Sequence, residues 1–415
     1  MEPTSHQKRD FAEHVLRRLR EARFTAYFAG GCVRDQLLGR TPADYDVATN
    51  ATPAEIRNVF GRRRTLAIGA AFGVITVLGP KPAAGQVEVA TFRADSQYSD
   101  GRHPDAVTFS SPEEDARRRD FTVNGLFYDP LDDQVIDFVG GQADLDRRVV
   151  RAIGNPHERF NEDKLRLLRA VRFTTTLAFE LDVDTADAVR RMAPQIAIVS
   201  PERIAAEMRR LLTHDRRAAG VRLLLDTGLA AVILPEIVAC DDASRAAVDA
   251  DLAVLSRLVS PSFPLALATL LMRRGDSEGI QAVGQRWRLA NREVDRAVWL
   301  AAKVPLMLQA CHVRFSEIQP LLVHCGAEEL VALAEALEPG SAAAAYGREA
   351  LRRPTEELDP PPLMDGAALI AHGVRPGPVF SRLLARARSA QLDGEVTTRA
   401  EALALIDREM TMDDK

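Results

Sequence analysis

Residues 28–50 read FAGGCVRDQLLGRTPADYDVATN, and this stretch gathers residue types that can do chemistry together. Asp44 and Asp46 stand two apart in a segment that reads as a strand, so their carboxylates project from one face. Like charges side by side are unfavourable unless a cation lies between them. Hard oxygen donors of this kind suit Mg2+. A D-x-D pair also occurs in turns with solvated acids, so its context must decide. Here Gly30 and Gly31 let backbone amides approach an anion. Arg34 follows on what reads as the first turn of a helix. Metal ligands, phosphate cradle and arginine together point to a nucleoside triphosphate site. It is not a P-loop, because no G-K-[ST] run is present.

A second constellation lies in EDKLRLLRAVRF, residues 162–173. A helix from Asn161 would make Asp163 and Arg166 neighbours at i,i+3, with Arg169 and Arg172 continuing the ridge. Such a pair is either a surface ion pair or a template for a base edge. In the second reading, Asp accepts from an exocyclic amine and Arg donates to a ring acceptor. Cytosine and adenine present that pattern; uracil and guanine set acceptor against acceptor. Arg119 and Asp120 precede a segment, Phe121–Leu126, that reads as a strand, and they could equally form a charged turn. Glu88, in QVEVATFR, reads as a structural strand residue and stays outside the proposed site.

The elements that must position these groups change character along the chain. Residues 6–25 read as an amphipathic helix with Phe11, Val15, Leu16 and Leu19 on one side. AYFAGG, DYDVAT, GVITVLG, QVEVATF, FTVNGLFYD and QVIDFVGG then read as strands of a mixed sheet. From about residue 155 the periods are helical. Asn155-Pro156 and Ser200-Pro201 each place a cap residue before a proline, which marks a helix start. The chain thus reads as an α+β N-terminal part followed by an all-α remainder.

Its 415 residues are too many for one core. The net charge of −5 excludes a uniformly basic nucleic-acid binder but permits a local basic groove. No run approaches the ~18 apolar residues of a membrane span. The charged N-terminus lacks an apolar signal core. Cys32, Cys240, Cys311 and Cys325 have no metal or redox spacing. Reduced thiols in a cytoplasm are expected.

Gly30–Gly39 followed by Asp44-Tyr45-Asp46 resembles the GG-x-VRD-x-LLG…D-x-D signature of the class II tRNA nucleotidyltransferase and bacterial poly(A) polymerase family, within the DNA polymerase β superfamily. Four more motifs follow in order: RRDFTVN at Arg118–Asn124, IDFVGGQADL at Ile136–Leu145, EDKLRLLRAVRF at Glu162–Phe173, and SPERIAAEMRRLL at Ser200–Leu212. They resemble, respectively, the ribose-recognising motif, the hinge between head and neck, the nucleotide-selecting helix and the helix that supports it.

The resemblance implies a nucleotidyltransferase head at 1–150, a helical neck at 151–235, and a helical body and tail at 236–415. It implies Mg2+ on Asp44 and Asp46. It places Arg119 on the triphosphate, Asp120 on the ribose, and Asp163, Arg166, Arg169 and Arg172 in the nucleotide site. Gly125 departs from the alanine or other small residue that the family carries. FRADSQYSDGRHPDAV resembles the flexible loop used in switching from C to A addition, which disfavours a CC-only enzyme. PLALATLLMRRGD resembles an HD phosphohydrolase helix with Met272 and Arg273 at the His-Asp places. It reads as a degenerate, RNA-binding version or as an ordinary core helix. The implied activity is addition of CMP and AMP, from CTP and ATP, to the 3′ end of tRNA held by its acceptor stem. No membrane and no obligate protein partner are implied. Poly(A) polymerase, an A-adding tRNA enzyme and a non-catalytic RNA-binding protein are the alternatives. The acidic end DREMTMDDK mildly disfavours poly(A) polymerase.

Overall fold

The computed structural model describes residues 4–80, 85–95, 107–273, 276–375 and 377–413. These form two compact units, Met1–Pro235 and Glu236–Lys415.

The first unit opens with α1 (Ser5–Glu21), whose N-terminus is closed by a Thr4–Gln7 capping box. Phe11, Val15, Leu16 and Leu19 are buried as the periodicity requires. The helix stops short of residue 25 because Arg23 turns the chain at φ 68. The residues that follow are taken by β1 (Ala26–Ala29). Then come α2 (Gly31–Leu37), β2 (Asp46–Thr49), α3 (Pro53–Phe60), β3 (Thr65–Leu66), β4 (Val74–Leu78), β5 (Gln86–Thr91), β6 (Arg93–Asp95), β7 (Val107–Phe109), α4 (Pro112–Arg117), β8 (Phe127–Asp129), β9 (Gln134–Ile136) and α5 (Gly141–Arg147).

Seven strands form one mixed sheet in the order β3-β4-β5-β2-β1-β8-β9. Within it β2 and β5 run parallel, with Asp46 beside Glu88, and the other pairs are antiparallel. α1 covers β1, β2 and β5. The Tyr27, Phe92 and Phe127 rings pack with centroids 5.8–6.2 Å apart. Each fully buried large apolar side chain here contributes roughly 1.5–3 kcal/mol.

Helices then predominate around a short parallel strand pair, β10 (Val149–Val150) and β11 (Glu180–Leu181): α6 (Pro156–Glu162), α7 (Leu165–Leu177), α8 (Val183–Met192), α9 (Pro201–Leu212), α10 (Arg217–Asp226) and α11 (Ala230–Ile233). Asn155 caps α6 by accepting from the His157 N–H at 2.9 Å. Ser200 stands at the N-cap of α9, but its hydroxyl makes no capping bond.

Three local expectations are corrected. Asp44 precedes β2, because the ladder to β5 begins at Asp46. The exposed-buried-exposed run of Asp44, Tyr45 and Asp46 still keeps both acids on one side. Phe121–Leu126 is not a strand: Thr122–Asn124 make a 3-10 turn, tied by the Thr122 hydroxyl donating to Asp144 at 2.7 Å. No helix runs on from Asn161 through Arg166. Asp163 is extended (φ −146) between α6 and α7, and its carboxylate accepts from the Leu165 N–H at 3.0 Å.

The second unit is helical throughout its described residues: α12 (Asp242–Arg257), α13 (Phe263–Leu271), α14 (Asp276–Arg286), α15 (Asn291–Met307) and further helices to Arg399–Asp413. Every residue of α13 except Pro264 is buried. Met272 and Arg273 line a cavity of about 290 Å³. The Arg273 Nε lies 3.4 Å from the buried Asp251 carboxylate.

Candidate active site

A pocket of about 650 Å³ opens in the first unit. Gly30, Gly31, Arg34, Asp44, Asp46, Arg119, Asp120, Asp163, Arg166, Arg169 and Arg172 all line it. The sequence-predicted residues are therefore gathered in one place, although they come from the turn into α2 and its first residues, the lead into β2, the turn after α4, the break between α6 and α7, and α7 itself. Of the segment 92–107, expected to act in the C-to-A switch, residues 96–106 lie outside the described residues, while Arg93–Asp95 and Val107–Phe109 pair as β6 and β7.

The glycine turn has two reasons to lack a side chain. Gly30 has φ 73, and a Cβ there would stand 2.7 Å from Arg119 Nη1. The Arg119 guanidinium crosses this turn, donating to the Asn124 carbonyl at 3.3 Å and to the Asp115 carboxylate at 3.0 Å. Burial pushes the Asp115 carboxyl up, but Arg119 and Arg118 outweigh it and hold it below its ordinary value. Arg34 donates to the Asn124 side-chain oxygen at 2.6 Å. Gly125 is closed in by Val139 Cγ2, which would lie 2.7 Å from an added Cβ, so this chain fills with a neighbour the space of a small side chain.

Asp46 touches solvent at its surface but lies deep in the concavity. That desolvation, then Glu88, pushes its carboxyl up to about 6; Arg119 opposes the shift and Asp44 adds to it. The excess negative charge at Asp46 and Glu88 suits a divalent cation, and carboxylate oxygens are the donors such a cation takes. Asp44 is engaged elsewhere: Lys8 Nζ donates to its Oδ1 at 2.9 Å and to the Ala43 carbonyl at 2.6 Å. Among the described residues no three acidic, histidine or cysteine side chains already close around a point as a cage.

Asp163 and Arg166 are not a surface ion pair, for each is fixed by other partners. Asp163 Oδ2 accepts from Arg203 of α9 at 2.6 Å. Arg166, with a side chain 10% exposed, pairs with Glu162 and donates to the Arg159 and Arg118 carbonyls at 2.9 and 3.0 Å. These contacts fix the plane of a guanidinium that carries five donors. Further along α7, Arg169 grips Asp120 through Nε at 2.8 Å and Nη2 at 2.5 Å. Burial would raise the Asp120 carboxyl, yet Arg169 and the Asn124 amide hold it down to about 2. Arg172 pairs with the buried Glu207 of α9.

Sequence reasoning left out Glu88, Asn124, Arg203 and Glu207. Glu88 had one local signal, a lone acid between Val87 and Val89 in an alternating strand. Its place beside Asp46 depends on a register that only the folded sheet defines. Arg203 and Glu207 are four apart on α9, so they reach two points of α7 from one face.

A mixed-sheet head whose pocket joins paired carboxylates, a glycine turn and the fixed Asp163 and Arg166 defines a nucleotidyltransferase. Residues 26–151 match the family described as "Poly A polymerase head domain", and residues 178–240 match "Probable RNA and SrmB- binding site of polymerase A". The chain is 34% identical over 407 residues to the CCA-adding enzyme of Lacticaseibacillus paracasei, covering 96% of each chain. It is 39% identical over 284 residues to that of Geobacillus kaustophilus, covering 68% of this chain and 67% of that one. The solved Bacillus stearothermophilus CCA-adding enzyme in complex with CTP superposes with a TM-score of 0.79 at 28% identity, over 98% of both chains. The Thermotoga maritima CCA-adding enzyme complexed with tRNA shares the fold, with a TM-score of 0.69 at 20% identity over 97% and 95% of the two chains. The chain belongs to the CCA-adding enzyme family. Membership implies a divalent metal, which the Asp46–Glu88 face fits. No described helix is long and apolar enough to cross a membrane.

Proposed function

We propose that the protein adds CMP and AMP, without a nucleic-acid template, to the 3′ end of tRNA in the cytoplasm, using CTP, ATP and Mg2+. The observation that carries this reading is the single pocket in which Asp46, the Gly30–Gly31 turn, Asp163 and Arg166 meet. Asp44 and Asp46 would hold Mg2+, with Glu88 beside them and Lys8 giving up Asp44. Bound Mg2+ supplies a more acidic terminal hydroxyl on the tRNA and charge stabilisation for the departing pyrophosphate.

The chain's own residues do the rest. Arg34 and Arg119 hold the triphosphate against the Gly30–Gly31 turn. Asp120 offers a carboxylate to the ribose while Arg169 fixes its orientation. Asp163 accepts from the exocyclic amine of C or A, and Arg166 donates to the adjacent ring acceptor. Arg172 completes the nucleotide site. The helical body and tail bind the acceptor stem by shape and phosphate contacts, and the degenerate Met272-Arg273 site carries no chemistry.

Poly(A) addition is the second reading, favoured by the head-domain match alone. Release of pyrophosphate from CTP on tRNA lacking CCA, with Mg2+, tests the enzyme reading. Binding of that tRNA without release would leave only an RNA-binding protein.

A further inference from the structure

Glu207 of α9 is 3% exposed and is shared by three guanidiniums. Arg172 pairs with Oε2, while Arg210 Nη1 and Arg169 Nη1 approach Oε1 at 3.4 and 3.6 Å. Arg169 also takes Asp120, so three cations share two carboxylates. The Arg210 side chain is 64% exposed, and its long contact to Glu207 is worth little as an ion pair. Yet Arg210 lines the pocket. Burial, then the neighbouring Arg169 and Arg210 against Glu207, leaves the Arg172 guanidinium below its ordinary pKa. The corner is short of negative charge.

Its position says which anion it takes. Arg203 and Arg210 are seven apart on α9, about 10 Å of helix rise on one face. Arg203 sits at the base end, on Asp163. Arg210 reaches Arg172 through the shared Glu207, and the guanidiniums of Arg172, Arg169 and Arg34 stand 3.8, 5.1 and 5.5 Å from one ring centroid, that of Phe173. Arg34 belongs to the glycine turn, so this corner continues the phosphate side of the pocket.

Building on the nucleotidyltransferase reading, we propose that Arg210 is a ligand of the terminal phosphate of the incoming nucleoside triphosphate and makes the site prefer a triphosphate to a diphosphate. The exposed guanidinium engages the γ-phosphate on entry and releases it with pyrophosphate. It touches neither base nor ribose.

The test compares CTP and CDP binding by calorimetry, with Mg2+ and without RNA, in the full chain. Arg210→Gln is expected to weaken CTP about 5- to 30-fold, the worth of one charge-assisted contact at a partly exposed site. CDP should change less than about twofold, and Arg210→Lys should restore most of the preference. If Arg210 merely steadied Glu207 and Arg172, CTP and CDP would weaken together, which overturns the proposal. So would unchanged CTP affinity alongside weaker tRNA binding, which would make Arg210 an RNA contact. A wild-type protein that binds neither nucleotide would instead contradict the nucleotidyltransferase reading itself.

Discussion

At the scale of single residues, the site depends on carboxylates whose environments differ. Asp46 is pushed up by burial and by Glu88, while Asp120 is held down by Arg169. The first is the proposed metal ligand, and the second is already matched with a guanidinium. Asp46→Ala should therefore lower nucleotide addition by roughly a thousandfold or more, since a transition-state charge loses its counter-ion. Steady-state rates with tRNA lacking CCA check this, and wild-type turnover would remove Asp46 from the mechanism. Asp163→Ala should relax selection before it destroys catalysis. Each correct polar contact discriminates by about 1–3 kcal/mol, so the CTP/UTP preference should fall roughly 5- to 150-fold. An unchanged ratio would leave Asp163 as a mere stop between α6 and α7. The residue types were legible in the sequence because D-x-D, GG and VRD carry their chemistry in their spacing. Glu88 was not, because nothing local in QVEVAT announces a parallel register with Asp46.

Among elements, α7 and α9 act as one block. α9 holds Asp163 through Arg203 and Arg172 through Glu207, and α7 reaches the turn after α4 through Arg169 and Asp120. Breaking this last pair by Arg169→Met should destabilise the protein by about 3–5 kcal/mol at pH 7, because a buried carboxylate loses its partner. The folded Asp120 pKa lies below its unfolded value. Its contribution is thus present above about pH 4 and is lost as pH falls through the native value near 2. Chemical denaturation of wild type and variant from pH 7 to 3 should show the gap narrowing toward the acid end. A gap independent of pH would mean that packing, not charge, joins the two elements. Helix starts at prolines were legible, and so was the buried face of α1. The break at Asp163 was not. Glu162-Asp163-Lys164 are all tolerated in helices, and the extended backbone there is set by a local bond from the Leu165 N–H and a tertiary one from Arg203.

For the whole molecule, the mixed sheet followed by helices was readable from the change of period, from two to 3.6, near residue 155. The strand order was not, since β2 and β5 are neighbours across 36 intervening residues of chain. The central claim is that one pocket in the first unit selects C and then A without a template. Single-nucleotide incorporation by the full chain, followed by sequencing of the RNA 3′ ends, tests it most directly. tRNA lacking CCA should gain two C from CTP alone and nothing from UTP or GTP. tRNA ending in CC should gain one A from ATP, and short oligo(A) should not be extended. Long A tails on oligo(A), or UTP used as readily as CTP on the tRNA, would contradict it.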